Sequence, residues 1–377
     1  MRLEKRYALF VGFFSQFSYL FALQTIPPLL PTLIKEFDLG FTTASSLMWL
    51  VALPGVFLAL LGGLLSEKYG VKRMSIFGTG VMTASSALCI LSTSIPFLQA
   101  YRLLLGIGGA LVVVSAPGLI LQWFDTRELG TAMGIFALTM PVATVAAFNS
   151  LGFVADAYGW RAAFVLTTII NILALALCIF SKEGSIVFKD HTGLSPLRNG
   201  NIWVLGGIWA LFNMAVVGYS TWGKTIFIGY GLSGWMPDLL ASMLMVGTLT
   251  TPFTGFLSDR FGGRRRFIIL ASAAMFLMFP LFPYIEVTFL VELGLALGLL
   301  LAFLPPTLFA LPEEILGAGK GVLGWGVLSA FMNLGFILGP LSLGYVLDTA
   351  KSSAMVFFLL SFFSLLSLLL ALVLKSS

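Results

Sequence analysis

Three ionisable side chains stand out against long apolar runs: Arg102, Lys224 and Glu292. An arginine at bilayer depth costs several kcal/mol unless it is paired or meets water, so each of the three needs a partner, a wet cavity or a route to the headgroups. The chemistry on offer is ion pairing, anion binding and, at Glu292, proton uptake. Lys224 also closes a stripe. Trp209, Asn213, Ser220 and Lys224 fall at i, i+4, i+11 and i+15, close to one face of a helix. Gln16 and Tyr19 share a face of an earlier segment, and Asn149, Trp325, Ser329 and Asn333 could complete a polar ring. For each, a helix–helix hydrogen bond is the plainer alternative to a ligand contact, and headgroup snorkelling is the plainer one for Arg102, Glu292 and Lys224.

A second constellation is written twice. Gly63-Leu-Leu-Ser-Glu67-Lys68-Tyr-Gly70-Val-Lys72-Arg73 returns as Gly255-Phe-Leu-Ser-Asp259-Arg260-Phe-Gly262-Gly-Arg264-Arg265, 192 residues later. Each copy follows an apolar run and joins an acid, bases and glycines in one turn. An acid placed there can meet the positive N-terminus of a neighbouring helix.

These residues must be positioned by membrane-spanning helices. The mean hydropathy is +1.02 and only 10% of residues are charged, where a soluble domain carries about 25%. Twelve spans are predicted, at roughly 7–30, 41–65, 74–95, 97–121, 130–153, 160–181, 200–228, 235–258, 267–285, 287–311, 319–347 and 353–374. They must be helical, since lipid offers no partner to a free amide and the alternation of a barrel is absent. The first run is too long for a signal peptide. The prolines read as lying inside spans, Pro54, Pro117, Pro141, Pro252, Pro305, Pro306 and Pro340, suggest kinks.

Sorting Lys and Arg by side of the membrane gives sixteen against four. That bias places both termini and both hinges in the cytoplasm. The pI of about 9.2 follows from it and gives no reason to expect a nucleic acid partner. The longest polar interruption, 182–199, divides the chain into six-helix halves at 1–181 and 200–377. A shift of 192 also lays Gly55, Gly63, Gly70, Gly106, Gly134 and Gly152 on glycines and Asp156 on Asp348. Two parallel six-helix halves are one of the known transporter layouts.

With these motifs in place, the chain resembles the major facilitator superfamily over its whole length. The hinges resemble that family's Gly-x-x-x-Asp-Arg-x-Gly-Arg-Arg signature; Glu67, Lys68 and Val71 depart from it in the first copy, and Gly263 in the second. Arg102-Leu-Leu-Leu-Gly106 is similar to its fourth-helix motif. Gly335-x-x-x-Gly339-Pro340 resembles its glycine–proline pattern, but in span 11. Span 5 reads Met140-Pro141-Val142-Ala143, and the missing pattern there counsels against drug/proton exchange.

The resemblance implies an all-α fold of two pseudo-symmetric six-helix bundles and secondary transport by alternating access. It implies a conformational latch of Glu67, Lys68, Gly70, Arg73, Asp259, Arg260, Gly262 and Arg264, with Glu67 meeting the start of span 11 and Asp259 the start of span 5. It also puts spans 4 and 10 on a central cavity, where Arg102 and Glu292 would pair and Glu292 would couple to protons. Substrate contacts are then expected from Arg102, Lys224, Asn213, Tyr19, Gln16, Trp325 and Asn333. Arg102 and Lys224 against Glu292 leave one excess positive charge, which leans toward a small anion; export of an apolar or cationic compound and ion-independent facilitation are the alternatives.

No enzyme motif competes: there is no Gly-x-x-x-x-Gly-Lys loop, no aspartate-rich metal motif and a single histidine, His191. Cys89 and Cys178 fall inside apolar runs and read as small buried hydrophobes. No cofactor and no metal are expected. The partners are a small-molecule substrate and the lipid bilayer, and a monomer in the plasma (inner) membrane suffices.

Overall fold

The computed structural model describes residues 3–124, 126–184, 199–316 and 321–374; within these, the side chains at 59–64, 67, 126, 127, 129, 313, 316, 321–323 and 325 lie outside the description. Glu67 and Trp325 are therefore placed by backbone alone. The glycine-rich residues 317–320 and residues 185–198 of the expected linker, His191 included, lie outside the described residues.

The described chain is helical throughout its spans. In order, the helices are α1 (Leu3–Leu23), α2 (Ile26–Phe37), α3 (Phe41–Tyr69), α4 (Val71–Ile90), α5 (Ile95–Leu121), α6 (Thr126–Ala137), α7 (Thr139–Tyr158) and α8 (Trp160–Phe180). They continue as α9 (Gly200–Gly229), α10 (Met236–Thr248), α11 (Thr251–Phe261), α12 (Arg264–Met278), α13 (Leu290–Leu301), α14 (Leu304–Leu316), α15 (Gly321–Ala350) and α16 (Ser353–Val373). Sixteen helices make twelve spans because α1/α2, α6/α7, α10/α11 and α13/α14 are each one broken span.

Every break has a proline just after it: Pro27, Pro141, Pro252 and Pro305. A proline has no N–H to give the carbonyl four residues earlier, so the ladder opens there. Two of the freed carbonyls find substitutes. Thr251 Oγ1 donates to Thr248 O at 2.6 Å, and Leu23 O is taken by an arginine described below. Pro54, Pro117 and Pro340 sit inside unbroken helices.

Among the described residues, ten segments are long and apolar enough to cross a membrane. The two spans outside that set, α4 and α12, are repeat partners. α12 is only 15 residues long and opens on three arginines. α4 buries Ser75, Thr79, Ser85 and Ser86 against α5 and α8, spending hydropathy on small side chains that allow close packing.

By proximity the chain forms two compact units, Met1–Leu39 with Ser46–Lys189, and Gly40–Ser45 with Asp190–Ser377. The short segment 40–45 joins the second unit through Asp348. Its carboxylate accepts from Phe41 N at 2.8 Å, Thr42 N at 2.7 Å and Thr42 Oγ1 at 2.5 Å, capping the N-terminus of α3 where the helix dipole favours an anion. Phe41 also meets Trp222 edge-on at 5.6 Å, and Trp222 Nε1 donates to Pro340 O at 2.9 Å.

The repeat predicted from glycine spacing is visible in the packing of each unit. A side chain on Gly106 of α5 would run into Val51 O of α3, and one on Gly298 of α13 into Leu244 O of α10. The same close helix crossing is thus built once in each half, at matched positions. In the second unit Gly335 and Gly339 play a similar part, letting α15 approach α9 at Ala210 O and Met214 O.

Candidate functional site

Arg102 is the most deeply buried long cation, 1% exposed. Each nitrogen of its guanidinium donates to a backbone carbonyl: Nε to Leu47 O at 2.8 Å, Nη1 to Ala22 O at 2.7 Å and Nη2 to Leu23 O at 2.9 Å, three of its five N–H groups. Leu23 is the residue whose carbonyl Pro27 cannot serve. Arg102, on α5, thus satisfies the open carbonyl end of α1 at the break before α2 and ties α1 to α3. The fork geometry of Arg suits this, since three donors diverge toward three fixed acceptors. The expected role of Arg102 as a substrate cation, or as partner to Glu292, would have to compete with these three bonds. Tyr19 is buried in the same region, its ring seated where Gly109 has no side chain. Gln16 is half-buried, and its Oε1 has no hydrogen-bond partner within the protein.

In the second unit the whole stripe on α9 is buried. Trp209 stacks on Phe212 at 5.2 Å, Asn213 Nδ2 donates to Trp209 O at 2.7 Å, and the Ser220 hydroxyl is buried without a protein partner. Lys224, 5% exposed, pairs with Asp238 at 2.8 Å, and Asp238 is itself 4% exposed. Asp238 belongs to the first turn of α10, where the helix dipole stabilises a carboxylate. Sequence reasoning missed it. The available signal was an acid just after Trp235-Met236-Pro237, at the start of an apolar run. Counting Asp238 cancels the one excess positive charge on which the anion expectation rested.

Asn333 of α15 is buried and donates to Ser329 O at 2.9 Å, while the Ser329 hydroxyl has no protein partner. Asn149 is exposed and bonds Val145 O of its own helix. Glu292 is exposed in the first turn of α13. Further buried polar atoms without protein partners, Trp49 Nε1 and Ser115 Oγ among them, were not singled out from sequence. One polar atom in an apolar run carries no pattern.

The hinges turn on left-handed glycines. Gly70 has φ +90°, and Gly262 and Gly263 both have φ +65°, a region costly for any residue with a side chain. In the second hinge Asp259 pairs with Arg264 at 2.8 Å, and Arg264 also pairs with Glu314 at the end of α14. Glu314 is a partner the sequence reading did not name. Arg260 is exposed. In the first hinge Lys68 and Arg73 are exposed, with Lys68 Nζ 5.1 Å from the Tyr69 ring centroid.

Known proteins resemble this arrangement along the entire chain. The model of the Major Facilitator Superfamily matches residues 12–311 and 234–376. The chain belongs to the Major Facilitator Superfamily. An uncharacterized MFS-type transporter of Mycobacterium tuberculosis is 24% identical, over 86% of this chain and 67% of that protein. The riboflavin transporter RibZ of Clostridioides difficile is 23% identical, over 82% of this chain and 81% of its own. A probable sulfoacetate transporter of Cupriavidus necator is 24% identical, over 85% and 82%. In structure, a crystallised mutant of the nucleoside transporter NupG superposes with a TM-score of 0.76, covering 98% of this chain and all of that one at 12% identity. This superfamily member is an integral, multi-pass membrane transporter, and its relatives carry chemically varied substrates.

Proposed function

We propose that the protein is a secondary transporter that moves a small organic solute by alternating access, holding it through hydrogen bonds and aromatic faces instead of an unpaired cation. The observation that carries this reading is the state of the two deep cations: Lys224 is paired with Asp238 and all three nitrogens of Arg102 are held by backbone carbonyls. What is left for a ligand is buried, unpartnered polar atoms within each unit: Gln16 Oε1 in the first, and Ser220 Oγ on the α9 stripe with Trp209 and Ser329 Oγ one turn from Asn333 in the second. A relative named for riboflavin and one named for quinolone resistance are in keeping with an aromatic, hydrogen-bonding cargo. A small anion is the second reading, favoured by the relative named for sulfoacetate.

The sixteen-to-four charge bias supports a plasma (inner) membrane orientation with both termini cytoplasmic, and a monomer is sufficient. Proton coupling falls on two carboxylates, Glu292 and Asp238. Flux in proteoliposomes, with and without an imposed pH gradient, tests all of this. Riboflavin, norfloxacin and sulfoacetate serve as probes. Saturable flux of an aromatic probe supports the main reading; flux of sulfoacetate alone supports the second. If Glu292→Gln leaves the gradient dependence intact, Glu292 does not carry the proton.

A further inference from the structure

A groove of about 490 Å³ opens at one end of the first unit, between the start of α1, the end of α8 and the residues just past α5. Its polar wall holds Arg6 and Lys182 with Glu4 and Ser181, a net single positive charge, and its apolar wall holds Tyr7, Phe10, Trp123 and Phe180. Phe180 is 77% exposed and Phe10 50% exposed. From Phe10 a file of rings continues along α1 to Phe14 and Phe17, with centroids 5.8 and 5.7 Å apart. The cations are available. Arg6 is exposed and has no ion-pair partner among the described residues, and Lys182 meets Glu4 only at 3.5 Å. The neighbouring Lys5, by contrast, is committed to Glu128 at 2.5 Å.

The second unit closes the matching corner with its own groups. Arg265 caps the end of α16 through Ala371 O at 3.0 Å and through Leu372 O. Asn199 reaches Ile315 O at 3.5 Å, and Leu374 is buried. Shifted by 192, those positions become Arg73, Ile179, Phe180, Tyr7, Trp123 and Lys182. Arg73 is exposed, and the corner it would cap stays open. Among the described residues, the second unit caps its helix end with Arg265 and the first leaves a basic rim over an aromatic wall.

We infer that this groove binds a membrane phospholipid with an anionic headgroup, its phosphate on Arg6 and Lys182 and an acyl chain along Phe180 and Phe10. Charge and shape argue together for that occupant. Basic residues beside the ends of spans attract anionic headgroups, and aromatic side chains settle at the interface where one end is wet and the other apolar. A free phosphate would use the rim and leave the rings unoccupied.

The test uses the full-length protein in phosphatidylcholine nanodiscs, titrated with brominated phosphatidylglycerol while tryptophan fluorescence is read. A quenching component specific to phosphatidylglycerol is expected, and Trp123→Phe should remove it. Arg6→Gln and Lys182→Gln should each weaken the apparent affinity about fivefold, while Arg266→Gln, an exposed cation in the other unit, should leave it unchanged. Equal quenching by brominated phosphatidylcholine would overturn the inference. So would equal weakening by Arg266→Gln, persistence of the component in Trp123→Phe, or displacement by soluble glycerol 1-phosphate as effective as by lipid. None of these readouts depends on what the protein transports.

Discussion

Arg102 and Gly294 are matched positions in the two halves, and so are the spans they serve. Span 1 is broken between α1 and α2, and Arg102 fills the gap with three hydrogen bonds. Its counterpart, span 7, is the unbroken 30-residue helix α9. No carbonyl is released there, and Gly294 packs against Met243 instead. The reverse holds at Lys224 and Asp238, a buried pair in the second half whose first-half counterparts are Thr32 and Ser46. The halves share their glycine crossings, which are backbone geometry, and differ in where they bury charge. A repeat fixes how the helices meet; each half then solves its own electrostatic problem.

That contrast can be broken most sharply at Lys224. Lys224→Met leaves Asp238 charged and buried, and should cost about 3–5 kcal/mol of stability, read by thermal unfolding in detergent. Thr32→Met in the first half should cost far less. Next comes Arg102→Gln, which strands at least one carbonyl and should cost about 3 kcal/mol. Arg102→Lys should recover only part of it, since an ammonium lacks the three-way fork. A Gln variant as stable as the native protein would mean that Arg102 is not the repair of span 1.

Smaller effects are expected at the helix ends. Arg265→Gln should cost about 1 kcal/mol and speed hydrogen exchange at the end of α16, whereas Arg73→Gln should leave the end of α8 unchanged. The smallest thermodynamic effect is at Asp259. Its pair with Arg264 is solvent-exposed and contributes about 0.5 kcal/mol. Even so, Asp259→Asn should raise cytoplasmic cysteine accessibility more than Glu67→Gln does, because the second hinge is joined to its neighbour by an Arg264–Glu314 bridge and no such bridge is found in the first among the described residues. At the matched position Gln122 instead accepts from Gly184 N at 3.2 Å. Equal accessibility in the two variants would remove that distinction.

Much of this was legible in the sequence, for identifiable reasons. Spans follow from apolar length and the hinge turns from glycines at Gly70 and Gly262; prolines mark where a helix can open but not where it does, since Pro54, Pro117 and Pro340 sit in unbroken helices. The α9 stripe follows from helical period. What escaped was pairing. Asp238 and Glu314 are ordinary acids until the fold brings Lys224 and Arg264 to them, and a hinge motif gives no hint of which neighbour it will hold. Arg102 was readable as costly and in need of partners, but its partners are carbonyls, which have no letter in the sequence. Only Pro27 hints at one of them, by silencing the amide that Leu23 O would otherwise receive.

Whether the deep cations are spent on the protein itself is tested directly by one double-mutant cycle. Thermal unfolding of Lys224→Met, Asp238→Leu and the double variant should show large single losses and a double variant that regains most of them, because a buried ion pair can be replaced by apolar side chains at little cost. Losses that simply add would mean that Lys224 and Asp238 are not each other's partners, and that Lys224 is free to hold a substrate anion after all.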